Sequence, residues 1–398
     1  MVREPCRFTQ VSAALIVSTL LVSPCTAQIA VPRKSTGHPP TRISKFYDTP
    51  NPLSPGKPGE LIRSTPTDDY SLAADFSGFR ILYHSRSASG QDVAVSGVVL
   101  LPDGTPPKGG WPVIAWAHGF TGASRQCAPS LLRNLYYGSF FSMYVSLGYA
   151  VVATDYAGLG TDFRNAVMDV PSNANDVINS ILAARAAVPQ LGTRWVAMGP
   201  YLGANVTIGV AEMEGRIRDP NYLGGVAISG VADLNDVYDR LSKEQSLRML
   251  SLLAYGIKTV FPDFDVREML TEKATPTYQQ INEGCGSVGK RVDLAPADLV
   301  KPGWKKNRFV TDFFERNLLG RTPAYGPLLV IVDEGDPAVP PSMTAPVVAR
   351  MCKQGDRVQV SKFSDPGPGQ VIGGSVRDQM SWIEARFAGR SAPSNCPW

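Results

Sequence analysis

Five stretches of this chain are apolar almost without interruption. They are PVIAWAHG (Pro112–Gly119), YAVVATDYAGLG (Tyr149–Gly160), RWVAMG (Arg194–Gly199), GGVAISG (Gly224–Gly230) and PLLVIVDEGD (Pro327–Asp336). A strand with one wet face alternates apolar and polar residues, whereas a strand covered on both faces does not, and such strands belong to parallel sheets sandwiched by helices. Helical patterns fall between these runs: SNANDVINSILAARAAV (Ser172–Val188), ANVTIGVAEM (Ala204–Met213) and SVRDQMSWIEARFAG (Ser375–Gly389). Ser172 or Asn173 is the expected N-cap of the first, Pro189 closes it, and Gly389 follows the last. FRILYHSR (Phe79–Arg86) and DVAVSGVVLLP (Asp92–Pro102) alternate in part, and DRVQVSKF (Asp356–Phe363) adds one more strand. This order of strands and helices predicts an α/β fold with a mostly parallel central sheet flanked by helices.

One segment breaks the alternation. Residues 231–322 are helical in tone and carry no strand signal as clean as the others; Asp233–Ile257 sets Leu234, Val237, Tyr238 and Leu241 on one face. An insertion there predicts a helical cap or lid over the carboxyl edge of the sheet, where open α/β sheets keep their sites. The core is then 76–230 together with 323–398. Residues 28–75 are rich in Pro, Ser, Thr and Lys and read as an extended N-terminal arm. The chain shows no internal repeat.

The N-terminus and the cysteines point to export. Arg3 and Arg7 precede the apolar run Val11–Val22, and small residues at Cys25 and Ala27 follow, so residues 1–27 read as a secretory signal cut after Ala27. A lipid-modified Cys25 is the other reading, poorly matched because Pro24 precedes it. No later run is long and apolar enough to span a bilayer, so the mature chain is expected to be a secreted or periplasmic protein without a transmembrane segment. The mature part holds Cys127, Cys285, Cys352 and Cys396 with no CxxC, which favours two disulfides in an oxidising compartment; four cysteines allow three pairings. Three histidines in the whole chain supply no His-rich metal site, and no cofactor is implied. A net charge of +4 with both signs interspersed gives no basic footprint for nucleic acid.

The stretch VAMGPYLGANV (Val196–Val206) runs from a strand through a Gly-x-x-x-Gly turn into a helix. That is the layout of an elbow that holds a nucleophile above a sheet, and such elbows carry serine at the centre. With WPVIAWAHGFTG, ATDYAGLGTD, GGVAISGVADL, PLLVIVDEGDPAVPP and GQVIGGSVRDQMSWIEARFAG, in this order, the mature chain resembles the secretory lipases, an α/β-hydrolase branch of yeast and bacterial extracellular enzymes. The resemblance implies carboxylester or triacylglycerol hydrolysis in lipid catabolism. It places the triad acid at Asp336, and the oxyanion donors at the N–H of Phe120 or Thr121 and of Leu202. It also implies disulfides Cys127–Cys285 and Cys352–Cys396. His118 reads as the histidine that holds the oxyanion loop, since a base should follow the acid in the chain.

Ester hydrolysis needs a hydroxyl nucleophile, an imidazole to take its proton, and a carboxylate to orient that imidazole. Here the nucleophile position is Tyr201, in Gly199-Pro200-Tyr201-Leu202-Gly203, and no other Gly-x-Ser-x-Gly exists. Ser229 sits at the end of the next strand on a different loop. No histidine follows His118, and the family's histidine aligns with Pro368 in SDPGPGQVIGG. A phenol with an ordinary pKa near 10 supplies little phenolate at neutral pH, and its oxygen lies several ångströms beyond a serine oxygen. Three readings follow: a pseudo-enzyme that binds an acyl or other hydrophobic ligand, an active lipase or esterase with an unconventional arrangement around Tyr201 and Asp336, and a non-enzymatic scaffold whose pocket is filled by its own side chains.

Overall fold

The computed structural model describes residues 43–398 apart from 242, 283, 286–294 and 365–369. The expected signal segment, the start of the expected arm and Pro368 therefore lie outside the described residues. Among the described residues nine strands form one sheet: β1 (Leu61–Thr67), β2 (Phe76–Arg86), β3 (Asp92–Pro102), β4 (Trp111–Trp116), β5 (Ala150–Thr154), β6 (Leu191–Pro200), β7 (Tyr222–Ile228), β8 (Leu328–Asp333) and β9 (Val358–Phe363). Their spatial order is β1-β2-β3-β5-β4-β6-β7-β8-β9. The first three pairings, from β1 to β5, are antiparallel, and every pairing from β5 to β9 is parallel. β5 is buried along its whole length, as are β8 and all but the first residues of β4, which is why these strands read as unbroken apolar runs.

Helices cover both faces. On one side α2 (Val170–Ala187), α3 (Leu202–Ile217) and α9 (Pro341–Lys353) pack over Val113, Ala115, Ala197 and Val330. On the other, α1 (Gly138–Ser146), α10 (Val371–Gly374) and α11 (Val376–Phe387) pack over Ile114, Trp116, Val196 and Ile331. Neighbouring residues of one strand thus feed opposite cores, as the two-residue period of a strand requires. Gly389 follows α11 at φ +70°, the left-handed position that ends a helix.

Two expectations need correction. Part of the expected arm belongs to the sheet, because β1 pairs along its length with β2. Its sequence LIRSTPT hides this: β1 is an edge strand, mostly exposed or half-buried, and Pro66 is tolerated only where an unpaired edge needs no N–H. The N-cap of α2 is Asp169 and not Ser172 or Asn173, since the Asp169 carboxylate accepts from the Ser172 backbone N–H. The helix thus starts earlier, with Pro171 in its first turn, where a missing N–H costs nothing.

Between β7 and β8 the described residues hold only helices: α4 (Leu234–Asp239), α5 (Lys243–Val260), α6 (Thr275–Gln279), α7 (Pro296–Leu299) and α8 (Arg308–Arg316), with short 3₁₀ turns. Two helices stand where one pattern over Asp233–Ile257 was expected. They enclose their own core around Leu253, Ile257, Phe264, Met269 and Phe313. Polar contacts tie this segment to the sheet domain. Arg316 pairs with the fully buried Asp169 at 2.6 Å, Asn317 accepts from the Val170 N–H at 2.6 Å, and Arg350 of α9 pairs with Asp233 at 2.7 Å. A Cys127–Cys285 disulfide links the segment after β4 to the helical segment, and Cys352–Cys396 ties α9 to the C-terminal tail.

Candidate functional site

The chain leaves β4 for β5 on one side and then crosses to β6 on the other, so the strand order reverses at β4. Ligands of open α/β sheets bind outside the carboxyl ends of the strands at such a reversal. Two loops meet there: His118-Gly119-Phe120-Thr121 after β4, and Tyr201 after β6.

Tyr201 occupies a sharp turn with φ +56° and ψ −118°, between the last residue of β6 and the first of α3. Few non-glycine residues adopt this backbone; it costs on the order of 1–3 kcal/mol and needs surrounding structure to hold it. Its N–H donates to the Ile228 carbonyl at 3.0 Å and its carbonyl accepts from the Ala204 N–H at 2.9 Å. The flanking glycines are required by space. A Cβ on Gly199 would lie 2.2 Å from the Ala117 carbonyl oxygen, and one on Gly203 only 2.0 Å from it. The turn is therefore clamped onto the end of β4, and the side chain at 201 is set at the crevice.

A cavity of about 400 Å³ opens at this point. Its walls are mostly apolar, from Phe120, Leu202, Leu234, Val237, Leu241 and Met249, with Tyr201, Asn205, Asp336, Arg240 and Arg248 as its polar members. Two other cavities, of about 350 Å³ each, lie away from the elbow and have more polar linings.

The phenol of Tyr201 is neutral at ordinary pH. Burial first, and then the carboxylates of Asp336 and Asp333, push it up to about 12. Both effects disfavour a phenolate. Among the described residues no group hydrogen-bonds the Tyr201 hydroxyl, so no base stands ready to take its proton. Asp336, in the loop after β8, lines the same cavity. Its Oδ1 accepts from the N–H groups of Ala338 at 2.7 Å and Val339 at 3.2 Å, and its Oδ2 accepts from the Ser229 hydroxyl at 3.4 Å. Pro368 lies outside the described residues.

Leu202 begins α3, so its N–H belongs to the first turn of a helix and has no partner within it. Phe120 and Leu202 both line the cavity. Thr121 is buried and its hydroxyl has no hydrogen-bond partner, and the neighbouring Gly119 N–H donates to the buried Tyr137 hydroxyl at 3.1 Å. His118 is buried behind this loop and is not among the lining residues of the cavity. Its ring nitrogens face the carbonyls of Gly119 at 2.6 Å and Asp155 at 3.1 Å, and the ring stacks on Tyr156. Burial lowers its pKa to about 4, so the imidazole is neutral.

Sequence reasoning named Tyr201, Leu202, Phe120 and Asp336, and the fold brings all four to one cavity. It missed Asn205, Arg240 and Arg248, and the contact of Ser229 with Asp336. Asn205 lies one helical turn beyond Tyr201, a spacing that could have been read. The arginines sit on a helical segment where charge ordinarily signals a solvated face.

A largely parallel sheet covered by helices on both faces, with a strained strand-to-helix turn at the strand-order reversal, is the α/β-hydrolase fold. Solved structures of that fold are similar over most of the chain. Candida antarctica lipase A in its closed state has a TM-score of 0.74 at 17% identity, covering 89% of this chain and 87% of that one. The rice cell wall degrading esterase LipA of Xanthomonas oryzae has a TM-score of 0.67 at 16% identity, covering 84% and 98%. No family model matches the sequence. Lipase 6 of Candida albicans is 22% identical over 411 aligned residues, spanning 90% of this chain and 84% of that protein. The chain is thus lipase-like: it is similar to Lipase 6 along most of its length and shares the fold of lipase A, in keeping with its resemblance to the secretory lipases. Among the described residues no helix is long and apolar enough to cross a membrane, and no cluster of His, Cys, Asp or Glu is arranged to hold a metal ion.

Proposed function

We propose that this protein is an exported pseudo-lipase: it keeps the hydrolase scaffold and binds an acyl or other hydrophobic ligand beside Tyr201 without hydrolysing it. The observation that carries this reading is the neutral, unassisted Tyr201 phenol at the nucleophile position, beside an open and mostly apolar cavity. A volume of about 400 Å³ lies within the range of small-molecule pockets, roughly 300–1,000 Å³. The oxyanion donors are the N–H groups of Phe120 or Thr121 and of Leu202. Each such donor is worth roughly 3 kcal/mol to a tetrahedral intermediate, but none forms without a nucleophile and base. Residues 231–322 act as the cap, and Cys127–Cys285 anchors it on the oxyanion side. Two disulfides and a signal-like N-terminus support export.

An active esterase that uses Tyr201 and Asp336 is the competing reading. The raised phenol pKa and the engagement of Asp336 by Ser229 and its own turn speak against it. A scaffold with a filled pocket is disfavoured by the open cavity. Short- and medium-chain nitrophenyl esters and a fluorophosphonate probe decide the matter. The expected result is no turnover above buffer and no labelling. Hydrolysis or labelling that disappears in Tyr201→Phe would overturn the proposal.

A further inference from the structure

The cavity beside Tyr201 carries more positive than negative charge. Arg240 and Arg248 line it from the helical segment, and Asp336 is the one acidic residue among its lining. Four other arginines in or beside the helical segment have carboxylate partners: Arg316 with Asp169, Arg350 with Asp233, Arg321 with Glu315 and Arg267 with Asp265; Arg164 and Arg308 instead lie over the rings of Tyr255 and Phe309. Among the described residues neither Arg240 nor Arg248 has a carboxylate partner. The Arg248 guanidinium lies 4.9 Å from the centre of the Phe120 ring, and its buried Nε has no hydrogen-bond partner. A buried guanidinium N–H left unpaired is costly, and its fork of donors matches a carboxylate in two parallel hydrogen bonds.

The elbow side of the cavity points the same way. The first turn of α3, a helix of sixteen residues, presents the Leu202 N–H, which has no acceptor within the helix, and carries the positive end of the helix dipole. The neutral Tyr201 hydroxyl is a further donor without a partner among the described residues. Asp336 opposes an anion, yet both its oxygens are engaged, by Ala338, Val339 and Ser229. Its charge repels an anionic head from its own side of the cavity and leaves the arginine side favoured.

We propose that the ligand is a single-chain fatty carboxylate: the free carboxylate head pairs with Arg248, assisted by Arg240, and the chain lies against Leu234, Val237, Leu241 and Met249. This deepens the acyl-binding reading above and rests on it. An ester or an alcohol of the same chain satisfies the apolar walls and can accept one neutral hydrogen bond from Arg248, but it cannot take the guanidinium fork in two parallel charge-assisted bonds. The selected species is therefore the acid that ester hydrolysis releases, and not the ester itself.

Calorimetric titration of the full mature chain with decanoate, decanol and decyltrimethylammonium, all below their micelle concentrations, tests this. The expected result is decanoate bound at least tenfold tighter than decanol, with the cationic amphiphile weakest. Arg248→Gln should bring decanoate down to the level of decanol, and Arg248→Lys should recover part of the difference. Arg240→Gln gives a milder loss at an exposed position, where folding is not at stake. Raising the salt concentration should narrow the gap between decanoate and decanol. Equal binding of decanoate and decanol overturns the head-group assignment and leaves the acyl-binding reading standing. No binding of any of the three overturns both.

Discussion

The Ser229 hydroxyl donates to Asp336 Oδ2 at 3.4 Å, across the carboxyl ends of two neighbouring parallel strands, β7 and β8. In a working triad that oxygen would face an imidazole N–H. Here the carboxylate is held by a serine on one side and by the Ala338 and Val339 N–H groups on the other. Ser229 itself has φ +52° and is buried, so it is fixed in this role by a constrained backbone. The Asp336 carboxylate is thus satisfied by Ser229, Ala338 and Val339.

On the proposed reading, in which Tyr201 and Pro368 stand at the nucleophile and histidine positions, the two groups should behave as a unit. Residues of a triad are grossly non-additive, because a nucleophile without its base gains little. Tyr201→Ser alone and Pro368→His alone are each expected to leave nitrophenyl ester hydrolysis at background. The double change should give measurable turnover, with fluorophosphonate labelling at the introduced serine. Equal, additive gains from the single changes would show that the scaffold no longer aligns the three positions.

The elbow glycines are packing requirements. A Cβ at Gly203 would lie 2.0 Å from the Ala117 carbonyl oxygen, which is buried backbone at the end of the central strand β4 and cannot easily move aside. Gly203→Ala should cost about 3 kcal/mol or more, the upper range for overpacking. Gly284→Ala is the control, since none of the described residues lies within 4 Å of its added Cβ. Denaturant unfolding should show a large loss for the first and a change within about 0.5 kcal/mol for the second.

How much of this was legible in the sequence depends on what each residue is asked to do. The central parallel strands are buried on both faces, and a short run such as LLVIVD bounded by Pro327 and Gly335 reads as such a strand. β1 has one partner and little burial, so its sequence is free to look like an arm. Leu234 and Val237 were visible because a helix repeats every 3.6 residues and both lie on the same face. Arg248 was not visible. Its contact with Phe120 joins segments distant in sequence, and no local spacing encodes which face of α5 turns toward the cavity. Tyr201 was legible because the glycines around it are demanded by backbone sterics, whatever residue stands between them.

Asp169 links the two parts of the described structure. It is fully buried, caps α2 and pairs with Arg316 of α8 through Nε at 2.6 Å and a second nitrogen at 3.1 Å. Removing one partner of a buried pair leaves an uncompensated charge and costs about 3–5 kcal/mol. Arg316 is partly exposed, so its loss should fall at the low end of that range. Arg316→Met is expected to destabilise by about 3 kcal/mol, and Asp169→Asn in the same background should recover part of it. A double-mutant cycle from denaturant melts measures the coupling.

Buried acids make stability depend on pH in an uncommon direction. Burial raises Asp176 to about 7, against the pull of hydrogen bonds from Ser85 and from the Ala157 N–H, and the charge of Asp169 adds to the rise. Its value in the unfolded chain is near 3.9. The folded chain therefore holds this proton where the unfolded chain has lost it. The resulting stability is fully present below about pH 4 and is lost as pH rises to about 7, by at most about 1.4 kcal/mol per pH unit. Asp155, Glu212 and Glu214 are raised in the same sense by burial. His118 opposes them: it is held neutral with a pKa lowered to about 4, so its contribution is lost as pH falls from about 6.5 toward 4. The difference between wild type and Asp176→Asn removes these shared contributions. The variant should be less stable than wild type at pH 4 relative to its standing at pH 8, with the difference changing across pH 4–7. A wild-type minus variant difference that stays flat from pH 4 to 8 would show that Asp176 is ionised in the folded chain.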